Sequence, residues 1–126
     1  TSIGVPVMGH LGFLPQSIRT FGGYRVQGKG GSDQLLLQAR ALQDSGAFSM
    51  VLELMAEESA GHITRVTSIP TIGIGSGTHT DGQVQVLHDV LGLDPDFLPR
   101  HAMKERDLWK DITEAVNSFN AKVKGV

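Results

Sequence analysis

At 126 residues the chain holds at most one ordinary domain. Its 40% hydrophobic and 19% charged residues exclude a chain kept disordered by composition. A formal net charge of -2 gives no basis for general affinity to nucleic acid or an anionic membrane, and the absence of cysteine excludes disulfides and thiolate metal sites within this chain.

In chain order, Ile3–Met8 reads as a strand, short and apolar on both faces as buried parallel strands are. Pro6 fits there only where no ladder bond is needed. Gly9-His10-Leu11-Gly12 then breaks the run. Pro15–Phe21 predicts a short helix with Pro15 in its first turn. A loop rich in glycine follows, with Gly22, Gly23, Gly28, Gly30 and Gly31. Ser32 or Asp33 caps a helix that runs to about Ser45, with Leu35, Leu36, Ala39 and Leu42 on its apolar face and Gly46 as its stop.

Ala47–Leu52 predicts the next buried strand, and Glu58–Thr67 a helix with Ile63 and Val66 inward. Ile69–Ile74 is a third strand, its end loosened by Gly73, Gly75 and Gly77. Val84–Leu87 is expected as a fourth short strand after the Asp81-Gly82 turn. The last helix runs from about Glu105 to Lys122, with Leu108, Ile112, Ala115, Phe119 and Val123 on one face. Alternation of strand and helix implies an α/β fold with a parallel sheet. Three or four strands do not close a barrel, which takes about eight. No apolar run approaches the ~20 residues that span a bilayer, and the first residues lack the basic-then-apolar pattern of a secretion signal.

Glu53 is the sharpest candidate for chemistry. It follows Ser49-Met50-Val51-Leu52 and so falls at the carboxyl end of a buried strand, where parallel α/β enzymes place reactive groups. A carboxylate among apolar neighbours is a stronger base near neutral pH. The plainer role, a strand-end glutamate that caps a helix or pairs with a lysine, is about equally probable from position alone. His10, flanked by Gly9 and Gly12, is expected at another strand end, where a ring N–H can meet a carboxylate or keto oxygen. A lone histidine is more often satisfied by nearby backbone. Gly73-Ile74-Gly75-Ser76-Gly77 lacks the Lys-Ser/Thr of a phosphate loop and the spacing of a dinucleotide fingerprint, which leaves close packing at the rim of a pocket. Asp81, His88 and Asp89 make a poor metal set, because the last two are neighbours and point to opposite faces of a strand. Arg25 and Lys29 could attract an anion, although a solvated role is the simpler one.

Three ordered blocks resemble one family. Ile3–Lys29 reads IGVPVMGHLGFLPQSIRTFGGYRVQGK, Val51-Leu52-Glu53 follows, and Ile69–Leu93 reads IPTIGIGSGTHTDGQVQVLHDVLGL. Together they resemble the ketopantoate hydroxymethyltransferases, across most of Gly4–Leu93. The resemblance implies a (β/α)8 TIM barrel about twice this length, and the matched blocks belong to its carboxyl-terminal half. With a chain that opens almost directly on a core strand, residues 1–126 are expected to be that half of a single barrel domain. The resemblance also implies hydroxymethyl transfer from 5,10-methylenetetrahydrofolate to 3-methyl-2-oxobutanoate, giving 2-dehydropantoate for pantothenate and coenzyme A synthesis. Glu53 falls on the family's proton acceptor, and His10 on a substrate contact. Magnesium is implied as cofactor, with its ligands in the amino-terminal half and none in this chain. A homo-oligomer is implied, since family members form decamers. The expected location is the cytoplasm, or the mitochondrion in a fungus or plant. Two departures stand out: Ser76 where the family usually has alanine, and Leu54-Met55-Ala56 where it has cysteine-valine-proline. The rival readings are another magnesium-enolate enzyme on the phosphoenolpyruvate-type barrel and a non-catalytic half-barrel that serves as an assembly partner.

Overall fold

The computed structural model describes residues 3–14, 16, 19, 23 and 25–125. The chain divides into two compact units, Thr1–Val84 and Gln85–Val126.

The first unit is a parallel sheet backed by helices. Its strands are β1 (Met8–Gly12), β2 (Ser49–Glu53), β3 (Thr71–Ile74) and the two-residue β4 (Gly82–Gln83), in the spatial order β1-β2-β3-β4. All neighbouring pairs are parallel, with His10 opposite Val51 and Val51 opposite Ile72. Helix α1 (Asp33–Asp44) connects β1 to β2, and α2 (Glu57–Val66) connects β2 to β3. Leu11, Met50 and Leu52 form a core with Ala39 of α1 and Ala60 and Ile63 of α2, with Leu35, Leu36 and Leu42 packed beside it. Met50, Leu52 and Ile63 are fully buried, each contributing about 2 kcal/mol from removal of apolar surface from water. Because side chains alternate across a strand, His10, Val51, Glu53, Ile72 and Ile74 fall on the other face of the sheet.

The first strand lies further along the chain than the sequence predicts. The ladder begins at Met8, not Ile3, because Pro6 has no N–H to give and Gly4 turns at φ 76°. Val7 still accepts a hydrogen bond from Phe48 N–H at 3.0 Å. β2 is shifted in the same direction and ends on Glu53. The predicted helix at Pro15–Phe21 lies mostly outside the described residues. The expected strand at Val84–Leu87 is also displaced. Pairing with β3 is confined to Gly82–Gln83 and one bond from Val84 N–H to Gly73 C=O, and Leu87 opens a helix instead.

The second unit holds α3 (Leu87–Leu91) and α4 (Leu108–Lys124). The segment between them is tied to α3 by the N–H groups of Glu105 and Arg106, both donating to Val90 C=O. Helix α4 has no buried residue; Trp109, Ile112, Val116, Phe119 and Val123 repeat at spacings of three and four and are each about half exposed or more. No helix among the described residues is long and apolar enough to cross a membrane.

Candidate active site

Glu53 ends β2, and its main chain turns at once. Leu54 adopts φ 47°, the left-handed region, and is the non-glycine residue that does so among those described. Such a conformation costs roughly 1–2 kcal/mol for a residue with a Cβ, so its surroundings must hold it. Leu54 N–H donates to Ile74 C=O at 2.9 Å, and Leu54 C=O accepts from Gln27 N–H at 2.9 Å. Ala56 N–H donates to Gln27 C=O at 2.8 Å. Gln27, from the glycine-rich loop, thus pairs with the segment at Met55 as an isolated parallel bridge.

β1 approaches Glu53 from the other side. Gly12 sits opposite it in register at φ 95°, and a Cβ added there would lie 2.1 Å from the Glu53 carbonyl oxygen. Only glycine permits that contact. Phe13 N–H donates to the same oxygen at 2.8 Å. Gly9 is short of a side chain for a different reason: a Cβ there would meet Leu42 of α1 at 2.8 Å. The glycines around His10 thus make room for Glu53 and for α1.

The two predicted residues come together. His10 Nε2 lies 2.9 Å from Glu53 Oε2, with the side chains 37% and 16% exposed. One correction concerns His10, which occupies the middle of β1 and not a strand end. The distance is closed because Glu53 stands one pleat further along the neighbouring strand, on the same face. A small ligand can therefore meet an imidazole and a carboxylate at once.

Ser76 is fully buried. Its hydroxyl donates to Leu52 C=O at 2.7 Å and accepts from Met55 N–H at 3.1 Å. The glycine-rich run around it packs closely, as expected: a Cβ on Gly73 would lie 2.6 Å from Thr80 Oγ1, and one on Gly77 would overlap the Glu57 side chain. Glu57 opens α2 and accepts from Thr78 N–H and from the Thr78 hydroxyl, both at 2.9 Å. The Thr78 N–H, then its hydroxyl, and the neighbouring His79 ring hold the Glu57 carboxyl below the usual glutamate range.

Asp81 belongs to the first unit, and His88 and Asp89 belong to the second. Asp81 accepts from Thr71 N–H at 2.8 Å and from the Thr71 hydroxyl at 3.0 Å, at the amino end of β3. His88 and Asp89 lie on α3, a helix and not the strand first expected. No group of three or more His, Asp or Glu suited to a metal ion occurs among the described residues. Arg25 and Lys29 are both exposed. The sequence reading missed Gln27 as part of the site, named Gly12 only as a neighbour of His10, and noted Leu54 only as a departure from the family pattern. Nothing in residue type marks Leu54 for a left-handed turn; Ser76 was flagged, as a departure from the family pattern.

The whole chain, residues 1–126, matches the family profile described as ketopantoate hydroxymethyltransferase. It is 54% identical over 123 residues to a 3-methyl-2-oxobutanoate hydroxymethyltransferase of Thermotoga maritima, covering 96% of this chain and 46% of that protein. Proteins of the same name from Chlorobaculum parvum and Cenarchaeum symbiosum are 49% and 50% identical, over 98% of this chain and 46% and 48% of their own lengths. The chain thus spans about half the length of the curated relatives it matches. It belongs to the ketopantoate hydroxymethyltransferase family.

Proposed function

We propose that residues 1–126 form the carboxyl-terminal half of a single (β/α)8 barrel domain. In this reading the complete enzyme transfers a hydroxymethyl group from 5,10-methylenetetrahydrofolate to 3-methyl-2-oxobutanoate, giving 2-dehydropantoate for pantothenate and coenzyme A synthesis. The names of the curated relatives support the acceptor and the reaction. The observation that carries the chemistry is the His10–Glu53 pair, 2.9 Å apart on one face of a parallel sheet.

Glu53 is the general base. The hydrogen on C3 of the keto acid is acidified by the adjacent carbonyl, and the Glu53 carboxylate removes it. The resulting enolate forms a C–C bond to the one-carbon unit, and both bonds of that carbon to folate nitrogens break. One is replaced by the new C–C bond and the other by the hydroxyl. Water gives its hydroxyl to the carbon and a proton to one nitrogen, and the proton taken from C3 passes to the other. His10 turns a ring N–H toward an oxygen of the keto acid and orients it beside Glu53. Following the family resemblance, we place the ligands of the magnesium cofactor in the remainder of the enzyme. A homo-oligomer is proposed as the working form, to be checked by light scattering of the complete protein.

The test is exchange of the C3 hydrogen of 3-methyl-2-oxobutanoate with deuterated water, catalysed by the complete enzyme without folate. Glu53→Gln keeps the shape and loses the basic site. Exchange should fall by about 10²–10⁴, while keto-acid binding is largely retained. Exchange at the unaltered rate would show that Glu53 is a structural strand-end residue.

A further inference from the structure

We infer that Ser76 is a positioning residue for Glu53, an inference that rests on Glu53 being the base. The two main-chain groups joined by the Ser76 hydroxyl, Leu52 C=O and Met55 N–H, flank the Glu53-Leu54 pair on either side. A single buried oxygen therefore closes a loop around the residue that carries the carboxylate and the residue that carries the left-handed φ. Ser76 comes from the end of β3, so the closure also locks β3 to the β2–α2 turn, next to the bond from Leu54 N–H to Ile74 C=O. Its partners are as buried as it is, with Leu52 at 0% and Met55 at 2% exposure. No solvent replaces the hydroxyl if it is removed. Met55 N–H would lose its acceptor, and buried backbone donors are almost always paired. The cheapest response is for the turn to rotate toward an ordinary φ. That rotation pivots on Glu53 and swings its carboxylate relative to His10. The opposite wall does not move with it, because Gly12 and Phe13 hold the Glu53 carbonyl from β1. Ser76 thus sets the direction of the Glu53 side chain without touching substrate.

The test is a cycle of variants in the complete enzyme, read by C3 hydrogen exchange. The family usually pairs alanine here with cysteine-valine-proline in place of Leu54-Met55-Ala56, whereas this chain's own turn is bonded by the Ser76 hydroxyl. In this turn Ser76→Ala should therefore lower the kcat for exchange about tenfold, as displacement of a reacting group by a fraction of an ångström does, with KM for the keto acid changed less than about twofold. In the Glu53→Gln background the same substitution should add no further loss, since residues that act through one another are not additive. Ser76→Cys, which keeps the volume and a weak hydrogen bond, should fall between serine and alanine; it also serves if Ser76→Ala does not fold. Three results overturn the inference: an unchanged kcat, a loss confined to KM or to folding, or an equal loss in the Glu53→Gln background. If Glu53→Gln alone exchanges at the unaltered rate, it is the assignment of the base that fails, and the cycle shows this separately.

Discussion

The polar groups at the two ends of this sheet are used in opposite ways. At the amino end, Asp81 Oδ2 accepts twice from Thr71, the Thr71 hydroxyl meets that of Thr64 at 2.9 Å, and the Ser49 hydroxyl donates to Pro70 C=O at 2.8 Å. Thr71 is fully buried, and its hydrogen-bonding groups are spent on neighbouring elements. At the carboxyl end, the hydrogen bonds of Ser76, Gln27 and Phe13 go to main-chain atoms, and the two functional side chains they surround, His10 and Glu53, meet each other on one face. One network holds strands together. The other holds a backbone so that side chains remain available. In parallel α/β sheets the carboxyl end is the working end, and here the difference is visible in the side chains: those of Asp81, Thr71 and Ser49 are tied to neighbouring elements, whereas those of His10 and Glu53 meet each other.

The comparison is most severely tested at Gly12. Gly12→Ala places a methyl group on the Glu53 carbonyl and forces a left-handed φ on a residue with a Cβ. It should cost on the order of 3 kcal/mol and abolish C3 exchange, because strand and base must separate. Thermal unfolding and the exchange assay, run together, check both. An active enzyme of unaltered stability would mean that the β1–β2 contact does not shape the site.

At the other end, Asp81→Ala leaves the buried Thr71 N–H without its acceptor and the Thr71 hydroxyl with Thr64 as its remaining side-chain partner. Stability should fall by about 1–3 kcal/mol, measured as a shift in urea midpoint. Exchange per folded molecule should stay within about twofold, the opposite pattern to Glu53→Gln, where activity falls and the midpoint holds. If Asp81→Ala lowered kcat as strongly as it lowered stability, the two ends would not be separable.

Much of this arrangement could be read in the sequence, and the exceptions have physical causes. Alternating strand and helix patterns predicted a parallel α/β sheet, and Glu53 fell at the carboxyl end of its strand because an apolar run with a polar terminus has few other places to go. His10 was found by its residue type but misplaced within β1. The apolar run Ile3–Met8 dominates the local pattern, whereas the ladder starts where Pro6 and Gly4 allow it. Helix α3 was hidden because Val84 and Val86 alternate with Gln85 as a strand would, while pairing with β3 ends at Val84. The apolar stripe of α4 was legible from its spacing, yet no residue of that helix is buried. Periodicity reports that a face exists and not what covers it. The left-handed φ of Leu54 is set by contacts with Ile74 and Gln27, which are distant in sequence, and no local propensity encodes it.

The smallest expected effect concerns the edge of the carboxyl end, where Glu57 clamps Thr78. Donation from the Thr78 N–H and hydroxyl, with the His79 ring 3.3 Å away, favours the ionised carboxylate and lowers its pKa in the folded protein. A group whose folded pKa is depressed contributes stability that is fully present above its unfolded pKa, about 4.3 for glutamate. That contribution is lost as pH falls through the lower, folded value. The urea midpoint of the protein should therefore exceed that of Glu57→Gln by a modest margin at about pH 5 and above, and the margin should shrink below about pH 4.3. Glu57 is well exposed, so salt should reduce the part of the margin that comes from His79 and leave the two Thr78 bonds. C3 exchange at neutral pH should be unchanged in Glu57→Gln, since the clamp holds a surface loop and not the Glu53 turn. A margin that does not vary between pH 7 and pH 3.5 would show that the Thr78 contacts are made equally well by a neutral side chain. The charge would then play no part in holding the β3–β4 loop against α2.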